Sequence, residues 1–251
     1  MRVRWLFLLL PLLLAETVAA APEAAGLYNE ANALYRSGSF EPARRKYLQA
    51  VATGVRDPRL FYNLGNACFK AGHLGEAVLW YERARRLDPR DDDLAANLRF
   101  VNAVKQDREP EETNPLWGAA VATFEYPTLN EICVVFAAFV LLGVGLLVWR
   151  VLRGTTNGAM WLALSLGIGG VTGVTALFLA ARVYAQERTV EAVIVVREAT
   201  ARSGPDGAQT AVFVVHEGTK VQVARREAGW ALVRLGSGLG GWLPADALVV
   251  I

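Results

Sequence analysis

Two long apolar stretches, separated by a short basic loop, limit most strongly how this chain can fold. The first covers residues 129–149 and the second covers residues 159–181, and neither has a charged residue in its core. Each stretch is close to the ~20 apolar residues that cross a ~30 Å hydrocarbon layer. Helices satisfy their own backbone hydrogen bonds inside lipid. We therefore predict a hairpin of two transmembrane helices.

The charges around these stretches predict the orientation of the hairpin. The loop at 150–158 contains two arginines and no acidic residue, whereas the outer flanks carry Glu125, Glu131 and Glu187. Short basic loops stay in the cytoplasm. Both ends of the hairpin should therefore emerge on the opposite side, so that the segments before and after it share one compartment.

Small residues recur every fourth position in the second stretch, at Ser165, Gly169 and Gly173. Such a ridge lets another helix approach closely. We expect it to pack against the first stretch, which offers Gly143 and Gly145, or against another membrane protein. No ionisable residue lies within either core, so the sequence gives no indication of transport.

The first 21 residues have the pattern of an export signal. Arg2 and Arg4 precede an apolar run from Trp5 to Leu14, and small residues lead to a cleavage pattern ending at Ala20. We predict a signal peptide over residues 1–21. The alternative is an uncleaved anchor, and either version exports the residues that follow.

Residues 22–108 contain a helical repeat with a 34-residue period. Residues of the same type recur at equivalent positions: Ala31 and Gly65, Gly38 and Gly72, Ala43 and Ala77, Tyr47 and Tyr81, Ala50 and Ala84. This spacing resembles the tetratricopeptide repeat family. The resemblance implies all-α repeats at about 24–57 and 58–91, and residues 91–106 should form a capping helix.

The resemblance also implies a concave face that binds a partner protein or peptide. The residues expected there are Tyr28, Asn32, Tyr35, Arg36, Tyr62, Asn66, Phe69 and Lys70. Aromatic rings beside Asn, Arg and Lys can hold an extended peptide. Alternatively, Asn is ordinary repeat consensus at these positions. Two repeats and a cap form a marginal module, so we expect a partner or a second copy to complete it.

Residues 109–128 form a linker that changes character along its length. Its first part is charged and contains proline, which is typical of a solvated spacer. Trp117, Phe124 and Tyr126 then follow among small apolar residues. We predict an interfacial segment lying on the bilayer. The alternative is a short helix packed against the repeat cap.

Residues 189–251 change to a period of two, with glycine-rich turns between short apolar strands. The sequence Gly241-Trp-Leu-Pro and the turns before it resemble bacterial SH3-type domains. The resemblance implies an all-β SH3-like barrel that binds peptides or cell-wall glycopeptide. Trp230 is a possible ligand surface, whereas we expect Trp242 to be at least half buried.

The sequence offers no constellation for catalysis. His73 and His216 are expected at the surface, Cys68 in a helical core and Cys133 at the membrane edge. No metal-ligand spacing and no phosphate-binding loop is present, so we predict no catalytic residue, no metal and no cofactor. A formal net charge of +2 gives no case for nucleic acid as a partner.

The order of these segments resembles the BatE proteins of bacterial aerotolerance (Bat) operons. The motifs that carry the resemblance are Leu60-Phe-Tyr-Asn-Leu-Gly-Asn-Ala, Ala77-Val-Leu-Trp-Tyr-Glu-Arg-Ala and Asp92-Asp-Leu-Ala-Ala-Asn-Leu. The resemblance implies a complex with von Willebrand factor A-type Bat proteins, with a MoxR-type ATPase as an indirect partner, and a role in aerotolerance or envelope stress. It also implies that the protein lies in the inner membrane, with both soluble domains in the periplasm.

We therefore expect a non-enzymatic, multidomain membrane scaffold with two arms: a repeat arm that grips a partner protein and a barrel arm. Self-association is also possible for such a protein. The alternative is a wall-binding anchor whose barrel recognises peptidoglycan and whose repeats recruit wall enzymes. A third hypothesis is a hydrolase, which would require this chain to have hydrolytic activity by itself.

Overall fold

The structure, a computed structural model, describes residues 22–107, 114–154, 158–188 and 190–251. The predicted signal peptide, most of the charged half of the linker and the centre of the loop between the apolar stretches lie outside these residues. The chain divides into two compact units. One consists of Met1–Glu111 together with Glu191–Ile251, and the other is Glu112–Val190.

Five helices build the repeat region. They are α1 (22–36), α2 (Phe40–Ala52), α3 (Pro58–Lys70), α4 (Leu74–Leu87) and α5 (Asp92–Val104). The Asp57 side chain accepts hydrogen bonds from the first backbone N–H groups of α3, and the Asp91 side chain accepts one from the N–H of Leu94 in the first turn of α5. Gly38 and Gly72 adopt φ angles of 78° and 87° in the turns between paired helices, a conformation that glycine adopts without strain.

Small residues allow these helices to pack closely. Ala31, Ala43 and Ala77 are fully buried in the repeat core. A Cβ atom added to Gly65 would lie 2.6 Å from the ring of Tyr81, so only glycine fits beside that ring. The repeated small and aromatic positions in the sequence are therefore one packing unit used twice.

The C-terminal segment forms an antiparallel sheet of seven strands. They are β1 (Val190–Ile194), β2 (Glu198–Arg202), β3 (Ala211–His216), β4 (Lys220–Glu227), β5 (Trp230–Arg234), β6 (Gly240–Pro244) and β7 (Leu248–Val250). The strand order is β3-β2-β6-β5-β4-β1-β7. The sheet curls around buried Ile194, Val215, Val233 and Leu243.

The sheet is not closed, so the prediction of a closed SH3-like barrel is not confirmed. β3 and β7 stand at its two ends. At the β7 end, the repeats cover the edge instead of another strand. The Arg83 guanidinium donates to the carbonyl of Val250 (2.6 Å), and Arg86 donates to the carbonyl of Ile251 (2.7 Å). Covering an edge in this way satisfies backbone groups that a barrel would pair.

The sheet and the repeats share apolar packing. Val193 of β1 is fully buried within the cluster of repeat side chains, and Val249 and Ile251 pack against the same cluster. The segments predicted as a repeat arm and a barrel arm therefore pack together within one compact unit.

Ion pairs and hydrogen bonds reinforce this contact. Glu82 of α4 is 5% exposed, and its carboxylate lies 3.1 Å from the ammonium of Lys220 in β4. Asp107 accepts hydrogen bonds from the backbone N–H of His216 (2.7 Å) and from the hydroxyl of Thr219 (2.8 Å). His216 was expected at the surface, yet its side chain is only 21% exposed because it pairs with Asp107.

The described residues of the second unit form three helices: α6 (Pro115–Glu125), α7 (Leu129–Arg153) and α8 (Gly158–Arg188). Length and composition alone make α7 and α8 candidates for crossing a membrane. Thr128 and Glu131 form a capping box at the start of α7. Arg150 and Arg153 lie in the last turn of α7, so that part of the predicted 150–158 loop is helical.

The contacts within this unit differ from those expected of the small-residue ridge. Gly143 of α7 approaches Ile168 of α8, with 3.5 Å between a built Cβ and the side chain. Among the described residues, no atom beyond the local helix lies within 4 Å of a Cβ built on Gly169 or Gly173. The expected close packing of the ridge against α7 is therefore wrong at those two positions. The α6 segment contacts α8 through Phe124 and Phe178, whose ring centroids are 5.2 Å apart.

Candidate protein-binding site

The eight residues predicted for the concave face lie on two neighbouring helices. Tyr28, Asn32 and Tyr35 are half-buried on α1, and Tyr62, Asn66 and Phe69 take the equivalent places on α3. Arg36 and Lys70 are exposed at the ends of the same helices. The repeat therefore brings two copies of one set of side chains together.

A polar network ties the first copy to the next repeat. The Tyr47 hydroxyl donates to the side-chain oxygen of Asn32 (2.6 Å). The Asn63 amide donates to the Tyr28 hydroxyl (2.7 Å) and, more weakly, to Asn32 (3.4 Å). Asn32 thus holds α1, α2 and α3 in register.

The same network recurs 34 positions later. The Tyr81 hydroxyl donates to the side-chain oxygen of Asn66 (2.7 Å), and the Asn97 amide of α5 donates to Asn66 (2.9 Å) and to the Tyr62 hydroxyl (3.2 Å). Burial raises the pKa of Tyr47 and of Tyr81, so both remain donors at neutral pH.

The network gives Asn32 and Asn66 a role inside the repeat, which agrees with the alternative that Asn is repeat consensus. Direct contact of these two side chains with a partner stays a prediction. Sequence reasoning missed Asn63 and Asn97, although their own 34-residue spacing was a usable signal.

The side chains that remain available form what we call the groove surface: Tyr35, Arg36, Phe69, Lys70 and Phe100. The Phe69 and Phe100 rings pack edge to face with centroids 5.6 Å apart, and Phe100 is 55% exposed. Sequence reasoning also missed Phe100, because it lies off the apolar stripe of α5. Burial and the neighbouring Tyr62 raise the pKa of Tyr35, which therefore stays a neutral phenol. Aromatic area beside two cations suits a partner with apolar and acidic side chains.

A second concave surface lies on the sheet. A cleft of about 420 Å³ is lined by half-buried Trp230 together with Glu198, Arg202 and Asp246. Trp242 is 8% exposed, so the expectation that it is at least half buried is confirmed. A ligand role for Trp230 stays a prediction.

The titratable residues near the α3–α4 turn form ion pairs and offer no activated nucleophile. Arg44 bonds to Glu41 (3.0 Å) and to Glu76 (2.7 Å), and His73 lies 3.0 Å from Glu41. The hydrogen bond from Arg44, assisted by His73, lowers the pKa of Glu41 to about 2. Cys68 is fully buried, and burial raises the pKa of its thiol, the opposite of what a nucleophile needs.

Within the part of the chain that the structure describes, no group of three or more His, Cys, Asp or Glu side chains is arranged to hold a metal ion. The arrangement on the repeats can bind a polypeptide through apolar contact and charge.

Comparison with known proteins supports the repeat region. Residues 28–92 match the tetratricopeptide repeat family. No curated protein matches this chain.

Three solved structures share limited likeness with the chain. The first tetratricopeptide domain of Spaghetti (RPAP3), bound to an HSP90 peptide, is 28% identical over 32% of this chain and 64% of that chain, with a TM-score of 0.31. The Yersinia enterocolitica type III secretion chaperone SycD, in complex with a YopD peptide, is 16% identical over 61% and 92%, with a TM-score of 0.30. NlpC2 from Trichomonas vaginalis is 18% identical over 25% of each chain, with a TM-score of 0.23.

The chain thus spans less than two thirds of the length of the Spaghetti domain structure. The repeat region itself is clear from its family match and its helices. Tetratricopeptide repeats are protein-interaction modules, and residues 28–92 of this chain are tetratricopeptide repeats.

Proposed function

We propose that this protein is a non-enzymatic membrane scaffold whose groove surface holds a partner protein. The observation that carries the proposal is the groove surface itself, where two half-buried aromatic rings, the exposed ring of Phe100 and two exposed cations lie on helices that a repeated Tyr–Asn network holds together. A preorganised surface of this kind binds with little ordering cost.

The exposure of α7 and α8 supports membrane insertion. Large apolar side chains along both helices are exposed, including Leu141 at 70% and Leu177 at 73%. In water such surfaces would associate, whereas lipid solvates them. The helices also satisfy the length requirement for a span.

The shared core of the repeats and the sheet supports a hairpin with both ends on one side. Val193 cannot enter the repeat core unless residues 22–107 and 191–251 occupy the same compartment. Together with the basic end of α7, this favours periplasmic placement of that unit at the inner membrane. The proposal also names the partners and the role. The direct partners are von Willebrand factor A-type proteins of a Bat-type complex, a MoxR-type ATPase is an indirect partner, and the role is in aerotolerance or envelope stress.

Cysteine labelling tests the topology. Three variants, each in a Cys133→Ser background, carry one exposed thiol apiece. The thiol lies on the repeats in Ser37→Cys, on the sheet in Ser237→Cys and at the end of α7 in Arg153→Cys. An impermeant maleimide added to intact spheroplasts should label positions 37 and 237, and should reach position 153 only after permeabilisation. Labelling of 37 and 237 from opposite sides would contradict the hairpin.

Affinity purification tests the role of the groove surface. The tagged full chain, extracted from membranes, should co-purify partner proteins that Phe69→Ala with Lys70→Glu reduces at least tenfold. Arg56→Glu is the matched control, because Arg56 is an exposed cation outside the groove surface. Equal recovery from all three proteins would contradict partner binding at this surface.

A second candidate function rests on the cleft beside Trp230. The alternative is a cell-wall anchor in which this cleft recognises peptidoglycan. Cosedimentation of the purified full chain with sacculi, compared with Trp230→Ala, separates the two. The full chain is required because Val193 of the sheet is buried among repeat side chains. Firm binding that the substitution abolishes would favour the anchor.

A further inference from the structure

A groove of about 620 Å³ runs between α7 and α8. Its walls are apolar side chains of α7, such as Phe139 and Leu147, and the small residues of the α8 ridge. Gly169 and Gly173 give the groove its depth, because no side chain projects from them and no described atom beyond the local helix lies within 4 Å of a Cβ built on either. The small-residue ridge thus forms the floor of an open channel.

The charge of the groove lies at one end, whereas Ser165 and Thr172 add uncharged hydroxyl groups along its length. Arg150 belongs to the last turn of α7 and Trp161 to the first turn of α8, and both line the groove. The remaining lining residues are uncharged. Arg150 therefore places a cation where an apolar channel reaches the edge of the helix pair.

Trp161 places an unsatisfied hydrogen-bond donor at the same end of the groove. The residue is buried, with 6% of its surface exposed. The indole N–H has no hydrogen-bond acceptor among the residues that the structure describes. A buried donor left without an acceptor costs about 1–3 kcal/mol. An acceptor brought by a ligand would remove that cost.

We propose that this groove binds one anionic phospholipid, with an acyl chain along Gly169 and Gly173 and the phosphate between Arg150 and Trp161. The proposal rests on membrane insertion of α7 and α8. An amphiphile carries its charge at one end, as the groove does, and basic pockets between membrane helices receive anionic head groups. A docked helix would fill the channel along Gly169 but would need a side-chain oxygen at the level of Trp161 and an acid for Arg150.

Native mass spectrometry of the purified full chain in detergent tests the proposal. Phosphatidylglycerol should bind with one molecule per chain and at least tenfold tighter than phosphatidylcholine with the same acyl chains. Arg150→Gln should remove that preference. Arg153→Gln is the matched control. Arg153 lies three residues after Arg150, is exposed and stacks on the ring of Trp149, so its substitution should change the affinity less than threefold.

A second pair of variants tests the acyl channel. Gly169→Leu should fill the groove and reduce binding of phosphatidylglycerol at least tenfold. Gly145→Leu should leave binding unchanged, because Gly145 lies on α7 outside the groove and a Cβ built there meets no atom within 4 Å. Circular dichroism of both variants confirms that the helices are intact.

Several outcomes would overturn the inference. Equal affinity for the two lipids, or inorganic phosphate alone competing at the same concentration as the lipid, would contradict an anionic phospholipid site. In a Cys133→Ser background, a disulfide between two chains carrying Gly169→Cys would show instead that a second copy occupies the groove. Carbonate extraction separates this failure from that of the proposed function. Release of the chain from membranes by alkaline carbonate would contradict both proposals. Retention of the chain without lipid binding would contradict this inference alone.

Discussion

At the scale of single residues, the repeat is held by hydrogen bonds that connect side chains 34 positions apart. Asn66 accepts from Tyr81 (2.7 Å) and from Asn97 (2.9 Å), and so joins α3, α4 and α5. The equivalent oxygen of Asn32 accepts from Tyr47 (2.6 Å). The periodic Asn and Tyr residues therefore stabilise the surface that presents the groove.

Asn66→Ala should lower the free energy of unfolding by about 2 kcal/mol, because it removes the acceptor of the Tyr81 hydroxyl and one of the acceptors of the Asn97 amide. Denaturant unfolding of the purified protein measures the change. Lys70→Ala, on the same helix but exposed, should change stability by less than about 0.5 kcal/mol. Equal stability of Asn66→Ala and wild type would show that the network is not stabilising.

Gly65→Ala should lower the free energy of unfolding by about 2–3 kcal/mol, because the new Cβ would lie 2.6 Å from the ring of Tyr81. Gly26→Ala is the matched control. It also places a methyl group on a helix, where a built Cβ meets no atom within 4 Å. It should stabilise the protein by about 0.5–1 kcal/mol through helix propensity. The same sign for both substitutions would contradict the packing described here.

At the scale of elements, α4 joins two layers. Six consecutive residues, Ala77 to Glu82, are buried, which one apolar face alone does not explain. One side of α4 completes the repeat core, and another side receives β1, β4 and β7 of the sheet. The helix therefore carries a buried acid, Glu82, that the repeat pattern does not require.

Acid should weaken the contact between the repeats and the sheet. Burial raises the pKa of Glu82, but Lys220 and Arg85 outweigh burial, and the pKa is lowered overall from 4.5. Asp107 is likewise lowered from 3.8 by its bonds to His216 and Thr219, which outweigh burial. Because both folded pKa values are depressed, their contribution is present above the unfolded pKa and is lost as pH falls through the folded pKa.

Glu82→Gln should therefore lower the free energy of unfolding by about 2 kcal/mol at pH 7, since it leaves Lys220 and Arg85 without a charged partner. The difference from wild type should shrink progressively below pH 4.5. Denaturant unfolding at several pH values measures both effects. A difference that is constant from pH 7 to pH 3 would contradict the role of the ion pair.

The sequence predicts the elements better than their contacts. The 34-residue period predicts the helices, because each repeat uses the same close approach of two helices, as between Gly65 and the ring of Tyr81. The period of two predicts the strands. The open sheet was not predictable, because its β7 edge is covered by Arg83 and Arg86, which are more than 160 positions away. Such contacts follow no sequence period. Phe100 was missed because it lies off the apolar stripe of α5 and its neighbour Phe69 lies in another helix.

At the scale of the whole molecule, the helix pair is inserted between two segments that share a core. Residues 22–107 and 190–251 joined by an about 20-residue Gly/Ser linker should therefore fold without α6, α7 and α8. Calorimetry should show one cooperative transition, because the segments bury Val193 and Glu82 together. Two transitions, or an unfolded sheet beside folded repeats, would contradict the single unit.

The central claim is that the groove surface holds a partner protein. Photocrosslinking in living cells tests it most directly, with a photoreactive amino acid placed at Tyr35 or Lys70 on the groove surface, or at exposed Gln49 on α2. Mass spectrometry then identifies the products. We expect protein adducts from positions 35 and 70 that Phe69→Ala removes, a von Willebrand factor A-type membrane protein among them, and none from position 49. Equal adducts from both faces would contradict the central claim, and adducts with wall enzymes alone would contradict the Bat-type partner and favour the wall anchor.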